Sequence, residues 1–320
     1  MRTGKLITLG TGVAGAAGVG LFNRSVTLDR DDLGARLPVE PSMWEWRGHK
    51  IALYQAGSPE NPPMLLLHGH HAAASALEMD RPFSSFAEDY SVFASDLLGY
   101  GLSDRPNIDY NSDLYVDLIK DLLRDVIGKP AVVIALSLSS AYAIEVAAAN
   151  PELLDRLVLI CPTGVGSLSE QSAGGKVLQE ILKLPLLGEA LYNALASHVS
   201  IQYYLAQQSY YDKSLVTPAL VEEYYRTSHV PGARYAPAAF VGGALYDDVS
   251  EAWARVETPT LIVWGAEAKM TPVSDAAPFL ATNPRAELEK IEASGLMPQD
   301  EQPKQFANVV GAWLERSRQR

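Results

Sequence analysis

The stretch Ala131-Val-Val-Ile-Ala-Leu-Ser137-Leu-Ser-Ser-Ala-Tyr-Ala-Ile-Glu-Val-Ala-Ala-Ala-Asn150 passes from a short apolar run into an alanine-rich run, with one serine at the junction. Val132, Val133 and Ile134 are β-branched and read as a buried strand. Ala141 to Ala149 are strong helix formers, and Asn150-Pro151 stops them. The serine therefore sits on a sharp strand-to-helix turn. Strand and helix can approach closely there only if small residues flank the turn, and Ala135 and Ser139 are small.

Turns of this kind, in the pattern Gly-x-Ser-x-Gly, present a nucleophilic serine. Here the pattern is Ala-Leu-Ser137-Leu-Ser139, with both glycines replaced by the next smallest residues. A serine that merely caps the helix would look the same in isolation. The surrounding chain decides between the two.

With 320 residues and an apolar fraction of 48%, the chain can bury a large core, and one fold with an insertion accounts for its length. A net charge of −12 and a pI near 5.0 argue against nucleic-acid binding, which needs clustered positive charge. The single cysteine, Cys161, closes the run Leu157-Val-Leu-Ile-Cys161; it reads as a small buried hydrophobe, and no intrachain disulfide can form.

Residues Leu6 to Phe22 are apolar or small, with Arg2 and Lys5 before them and Arg24 after. Seventeen residues is the short limit for a spanning helix, so residues 1–24 are expected to form an uncleaved membrane anchor, with a cleaved export signal as the alternative. Gly10-Thr-Gly12-Val-Ala-Gly15 matches a dinucleotide fingerprint in form only, because no strand precedes it and no βαβ unit follows. Residues 25–43 read as a polar linker.

A globular core is expected over 44–162 and 249–320. Trp44 to Gln55 reads as two antiparallel strands. Met64-Leu-Leu-Leu-His68, Val92 to Asp96, Arg156 to Cys161, Thr260 to Trp264 and Ala286 to Ile291 read as strands, with helices at Asp113 to Ile127 and Pro303 to Arg316. Strands alternating with helices predict an α/β fold, a mostly parallel central sheet with helices on both faces. Over 163–248 the β pattern stops, and Gly175 to Leu187, Ala190 to Leu205 and Pro218 to Ser228 read as helices of an inserted cap. Such a cap lies over the carboxyl ends of the strands, where ligands bind.

Five landmarks in this order carry a resemblance. They are Leu-Leu-Leu-His68-Gly69, Asp96-Leu-Leu-Gly99-Tyr-Gly101-Leu-Ser103-Asp-Arg-Pro106, the turn at Ser137, Pro259-Thr-Leu-Ile-Val-Trp-Gly265, and Glu301-Gln-Pro303-Lys-Gln-Phe306. Over about residues 45 to 318 the chain resembles the α/β-hydrolase superfamily, in the capped branch that includes esterases, haloalkane dehalogenases and carbon–carbon bond hydrolases. The resemblance implies Ser137 as nucleophile, and the backbone N–H groups of His70 and Leu138 as an oxyanion hole. No cofactor and no metal are implied; adjacent His70 and His71 lack a ligand-spaced partner.

The same resemblance puts the triad acid at position 268 and the histidine at 296, and the chain has Ala268 and Leu296 there. Independently of any alignment, His229 is the last histidine in the sequence. A serine hydroxyl is a weak nucleophile until a base takes its proton. Three expectations follow: a degraded Ser-His-Asp site holding a small apolar or ester-like ligand under the cap; an active esterase with His229, His70 or His71 as substitute base and Glu267 as an orienting acid; or a scaffold protein. The tyrosine-rich cap supplies amphipathic pocket walls for any of them.

Overall fold

The computed structural model describes residues 16–166 and 172–318. Its eight strands are β1 (Ser42–Trp46), β2 (His49–Ala56), β3 (Pro63–Leu67), β4 (Ser91–Ser95), β5 (Ala131–Leu136), β6 (Leu154–Ile160), β7 (Thr260–Gly265) and β8 (Glu287–Ile291). They form one sheet in the order β1-β2-β4-β3-β5-β6-β7-β8. β1 and β2 are an antiparallel hairpin whose turn residues, Arg47 and Gly48, both have positive φ. β2 pairs antiparallel with β4, and every pairing from β4 to β8 is parallel. β5 and β7 are buried along their whole length, as a sheet covered on both faces requires. β8, at one edge, carries charge along its length in Glu287, Glu289 and Lys290, which discourages further pairing.

Before the insertion come helices α1 (residues 16–26), α2 (Asp80–Phe86), α3 (Ser112–Asp121) and α4 (Ser139–Ala149). The insertion contributes α5 (Ala173–Lys183), α6 (Leu187–Leu195), α7 (His198–Tyr204), α8 (Pro218–Ser228) and α9 (Tyr235–Gly242). After it come α10 (Ser250–Arg255), α11 (Ala276–Thr282), α12 (Pro298–Glu301) and α13 (Pro303–Arg318). The cap has a small core of its own, in which Leu182, Tyr192, Ala196 and Ala238 pack with Leu33.

Three expectations need correction. The helix read from Gly175 to Leu187 ends at Lys183, because Pro185 forces Leu184 into extended backbone, and Leu186 then takes φ 59°. Ala190 to Leu205 is two helices, broken where Ser197 turns extended and accepts the Ser200 N–H to start α7. The supposed linker is not a free tether. Leu33 and Leu37 are buried, Leu28 N–H donates to the His229 carbonyl (2.8 Å), and buried Arg36 pairs with Glu223 at 2.9 Å on α8. Two leucines spaced four apart in a polar stretch were the missed signal.

α1 also docks on the cap. Buried Asn23 donates to the Leu186 carbonyl at 2.9 Å and accepts from Asn193 at 3.4 Å, while Leu21 and Phe22 on the same helix stay exposed. Most of the proposed anchor, residues 6–15, lies outside the described residues. Among those described, no helix is long and apolar enough to cross a membrane.

The loops at the carboxyl ends of β7 and β8 are pressed together. A Cβ at Gly265 would lie 1.8 Å from the Gly295 carbonyl oxygen, so only glycine fits. Gly265→Ala is therefore expected to cost about 2–3 kcal/mol of stability through overpacking, read as a lower urea midpoint with unchanged m-value.

Candidate functional site

Ser137 ends β5 in the left-handed region at φ 54°, a conformation that non-glycine residues hold only where the surroundings impose it. Its N–H donates to the Ile160 carbonyl at 2.8 Å. Ser140 Oγ donates back to the Ala135 carbonyl at 2.9 Å, and Ser139 Oγ donates to the His68 carbonyl at 2.6 Å. The two serines after Ser137 thus use their hydroxyls to fix the turn, one to its own strand and one to the loop after β3. Ser137 itself is half-buried, and its hydroxyl makes no hydrogen bond to another described residue.

Ser137 opens onto a cavity of about 190 Å³ beneath the cap, which it shares with Leu138, His70, His71 and Leu296. The backbone N–H groups of His70 and Leu138 donate to no other described residue. The N–H of Leu296 is held by the Ser209 carbonyl of the cap at 2.8 Å. Beside it, Glu301 accepts the N–H groups of Gly295 (2.6 Å), Tyr211 (2.8 Å) and Asp212 (3.0 Å), clasping the cap to this loop. Burial raises the Glu301 carboxyl, and these three donors oppose the rise. The proximity of Leu296 to Ser137 is thus fixed by backbone contacts on both sides.

The six histidines sort clearly. His68 is fully buried; its Nδ1 faces the Gly69 carbonyl at 2.6 Å and its Nε2 accepts the Leu97 N–H at 3.0 Å, so it ties the loops after β3 and β4. His70 is walled in by the rings of Tyr100, Tyr115 and Tyr142, with its Nδ1 3.2 Å from the Tyr100 hydroxyl and its buried Nε2 without a partner. His71 is hydrogen-bonded through Nε2 to Glu78 Oε1, and its Nδ1 accepts the Ala73 N–H at 3.1 Å. The other Glu78 oxygen accepts the Gly69 N–H at 2.8 Å. Burial alone would raise the Glu78 carboxyl, but His71, His68 and the Gly69 N–H outweigh it and hold it below the usual range.

His229 is not brought to Ser137. It stacks on Tyr225 with ring centres 3.8 Å apart, its Nδ1 faces the Tyr225 carbonyl at 2.9 Å, and it lines a separate small cavity between α6 and α8. It ends α8, and the stacking turns it away from the core. His49 is on β2, and His198 pairs with Glu222 at the cap surface. Glu267 bonds the Ser294 N–H at 3.0 Å, committed to backbone where a histidine was expected to need it. Ala268 is buried just beyond β7.

Sequence reading missed several cavity residues: Thr163, Phe240, Tyr246, Met270 and Thr271. Thr163 and Thr271 lie in the loops after β6 and β7, where ligand groups on such sheets collect, and that position was the available signal. Cys161 ends β6 at φ 42°, and its thiol is pushed up to about 12 by burial, which keeps it protonated.

A model of the alpha/beta hydrolase family matches residues 64–309, and the chain belongs to that family. Two of the structures it resembles are a meta-cleavage product hydrolase (TM-score 0.70, 22% identity, 87% of this chain and 98% of the other) and a membrane phospholipase A (TM-score 0.69, 23% identity, 98% of each chain). Among curated relatives, the 2-hydroxy-6-oxo-6-(2'-aminophenyl)hexa-2,4-dienoic acid hydrolase of Metapseudomonas resinovorans is 26% identical over 264 residues, 79% of this chain and 84% of the relative. The resemblance read from the five landmarks is correct, and so is the fold: a mostly parallel sheet with helices on both faces.

Burial lowers the imidazoles of His68 and His70, the latter well below its ordinary value of 6.5. The folded chain resists protonating them, whereas the unfolded chain takes up protons below about pH 6.5, so stability falls as pH drops through that value. Each such histidine contributes up to about 1.4 kcal/mol per pH unit. His70→Phe, which keeps the ring among the tyrosines, is expected to flatten the slope of unfolding free energy between pH 6.5 and 5 by about one proton, measured by urea titration at stepped pH.

Proposed function

We propose that this alpha/beta hydrolase-family protein holds a small apolar or ester-like ligand at an unactivated serine, its Ser-His-Asp chemistry having been lost. The observation that carries this reading is Leu296, a side chain with no proton to exchange, lining the cavity of Ser137. Ala268 at the acid position agrees with it. Of the two imidazoles that line the cavity, His70 is caged by tyrosines, and His71 has a partner on each nitrogen. The free N–H groups of His70 and Leu138 suit an oxyanion hole, which can orient a carbonyl without a base being present. Loss of a triad member costs several orders of magnitude in turnover, and what remains comes from binding and the oxyanion donors. The hydrolase relatives make hydrolysis the ancestral chemistry.

One observation favours a second reading, an active serine hydrolase. His71 shares the cavity with Ser137 and is paired with buried Glu78, an imidazole–carboxylate pair in the sense a general base requires. To serve Ser137 it would have to release the Ala73 N–H. The N-terminal segment supports a membrane-associated protein in either case, through residues 6–22.

A fluorophosphonate probe reacts only with an activated serine. The full chain is expected to stay unlabelled, and the double variant Leu296→His with Ala268→Asp to become labelled at Ser137 and to hydrolyse short acyl esters. Labelling of the unaltered chain at Ser137, lost in His71→Ala, would establish the second reading instead.

A further inference from the structure

A second cavity of about 480 Å³ lies under the cap and shares four walls with the first: His71, Tyr204, Phe240 and Met270. Its other walls are nearly all apolar, from Leu178, Leu182, Ala196 and Ile201 on the cap helices to Pro237 and Val241 on α9. At its rim Leu195, Val241 and Met270 are each about half exposed. The two spaces differ in chemistry. The Ser137 end gathers donors and no fixed charge: the serine hydroxyl, the unused N–H groups of His70 and Leu138, and the hydroxyl of Thr163, whose buried Oγ1 has no hydrogen-bond partner. Thr271 adds a hydroxyl with only the Cys161 thiol, a weak partner, beside it. The cap end offers apolar surface and a way out between half-exposed side chains.

From this juxtaposition we infer that the ligand is a single-chain alkanoate, its carboxyl group at Ser137 and its chain running past Phe240 and Tyr204 into the cap cavity. The inference deepens the reading above and rests on it only for the idea that the ligand is held. Several neutral donors lining one end of a cavity can satisfy a carboxylate without a cation, since each N–H or O–H to a charged oxygen makes a charge-assisted bond. An amine head would find acceptors in the hydroxyls but none in the two backbone N–H groups, which a carboxylate uses. An unbranched chain suits the second space, whose walls are mostly apolar, with His71, Ser200 and the tyrosines as the exceptions. A combined volume in the hundreds of cubic ångströms is that of an ordinary small-ligand site.

Isothermal titration of the full chain with alkanoates from butanoate to dodecanoate tests the assignment, with the matching alkanols and alkylamines as controls. Affinity is expected to rise about fourfold per methylene while the chain fills the cap cavity, as burial of apolar carbon predicts. Ala196→Phe, which fills part of that cavity, should stop the rise at a shorter chain, and Leu182→Phe gives the same reading if Ala196→Phe does not fold. Thr163→Val should weaken alkanoates about ten- to a hundredfold, the size of one hydrogen bond to a charged group, and leave alkanols within about tenfold, the size of a neutral one. Equal affinity for alkanoates, alkanols and alkylamines, or a chain-length series unmoved by both cavity-filling variants, would overturn the inference. Fluorophosphonate labelling of Ser137 would overturn the inactive-serine reading alone, because alkanoate binding is measured without turnover.

Discussion

The hydrogen bond from Ser139 Oγ to the carbonyl of His68 at 2.6 Å joins the two loops from which the site is built. One loop leaves β5 and carries Ser137 and Leu138; the other leaves β3 and carries His70 and His71. A buried carbonyl without a partner costs about 1–3 kcal/mol, so the serine hydroxyl stabilises both loops in one arrangement. His68 completes the joint by receiving the Leu97 N–H on its ring, which fixes the loop after β4 as well. Asp96 extends the joint, accepting the Ala76 N–H at 2.7 Å, the Leu102 N–H at 2.8 Å and the Tyr54 hydroxyl at 3.0 Å. Three loop ends are thus locked by buried polar contacts beneath a cavity that itself holds little charge.

This explains how the chain dispenses with glycine on either side of Ser137. In place of Gly, Ser139 is small enough for the close approach and adds a bond that glycine could not make. On the proposed reading, the scaffold around the serine is kept while the side chains that would activate it are replaced. The two are compatible because turn geometry and oxyanion donors reside in backbone, whereas a base and an orienting acid reside in two side chains, each replaceable singly without disturbing the fold.

Much of this was legible in the chain. The strand-to-helix junction at Ser137, the buried strands and the α8 boundaries, Pro218 to Ser228, follow directly from periodicity and capping residues. The cap was less legible, because α9 is apolar on all sides and has no helical stripe, and because Pro185 and Ser197 interrupt helices whose composition is otherwise continuous. The site was half legible. Ser137, His70, Leu138 and Leu296 do meet at one cavity, as order along the family's landmarks suggested. His229 does not, since a cap histidine's direction depends on stacking against Tyr225 that no local pattern encodes. The pairing of Glu78 with His71 was not legible, because it arises from folding its loop back onto His71 and Gly69.

The docking of α1 on the cap turns the beginning of the chain into part of a lever. Asn23 grips α6 through Leu186 and Asn193, and Arg36 grips α8 through Glu223, so the cap is held at two points by residues that precede the first strand. Any outward swing of α6 carries α1 with it or breaks the hydrogen bonds of the Asn23 side chain. The roof over Ser137 is in this way tied to α1, and a restraint placed on that helix is transmitted to the cap.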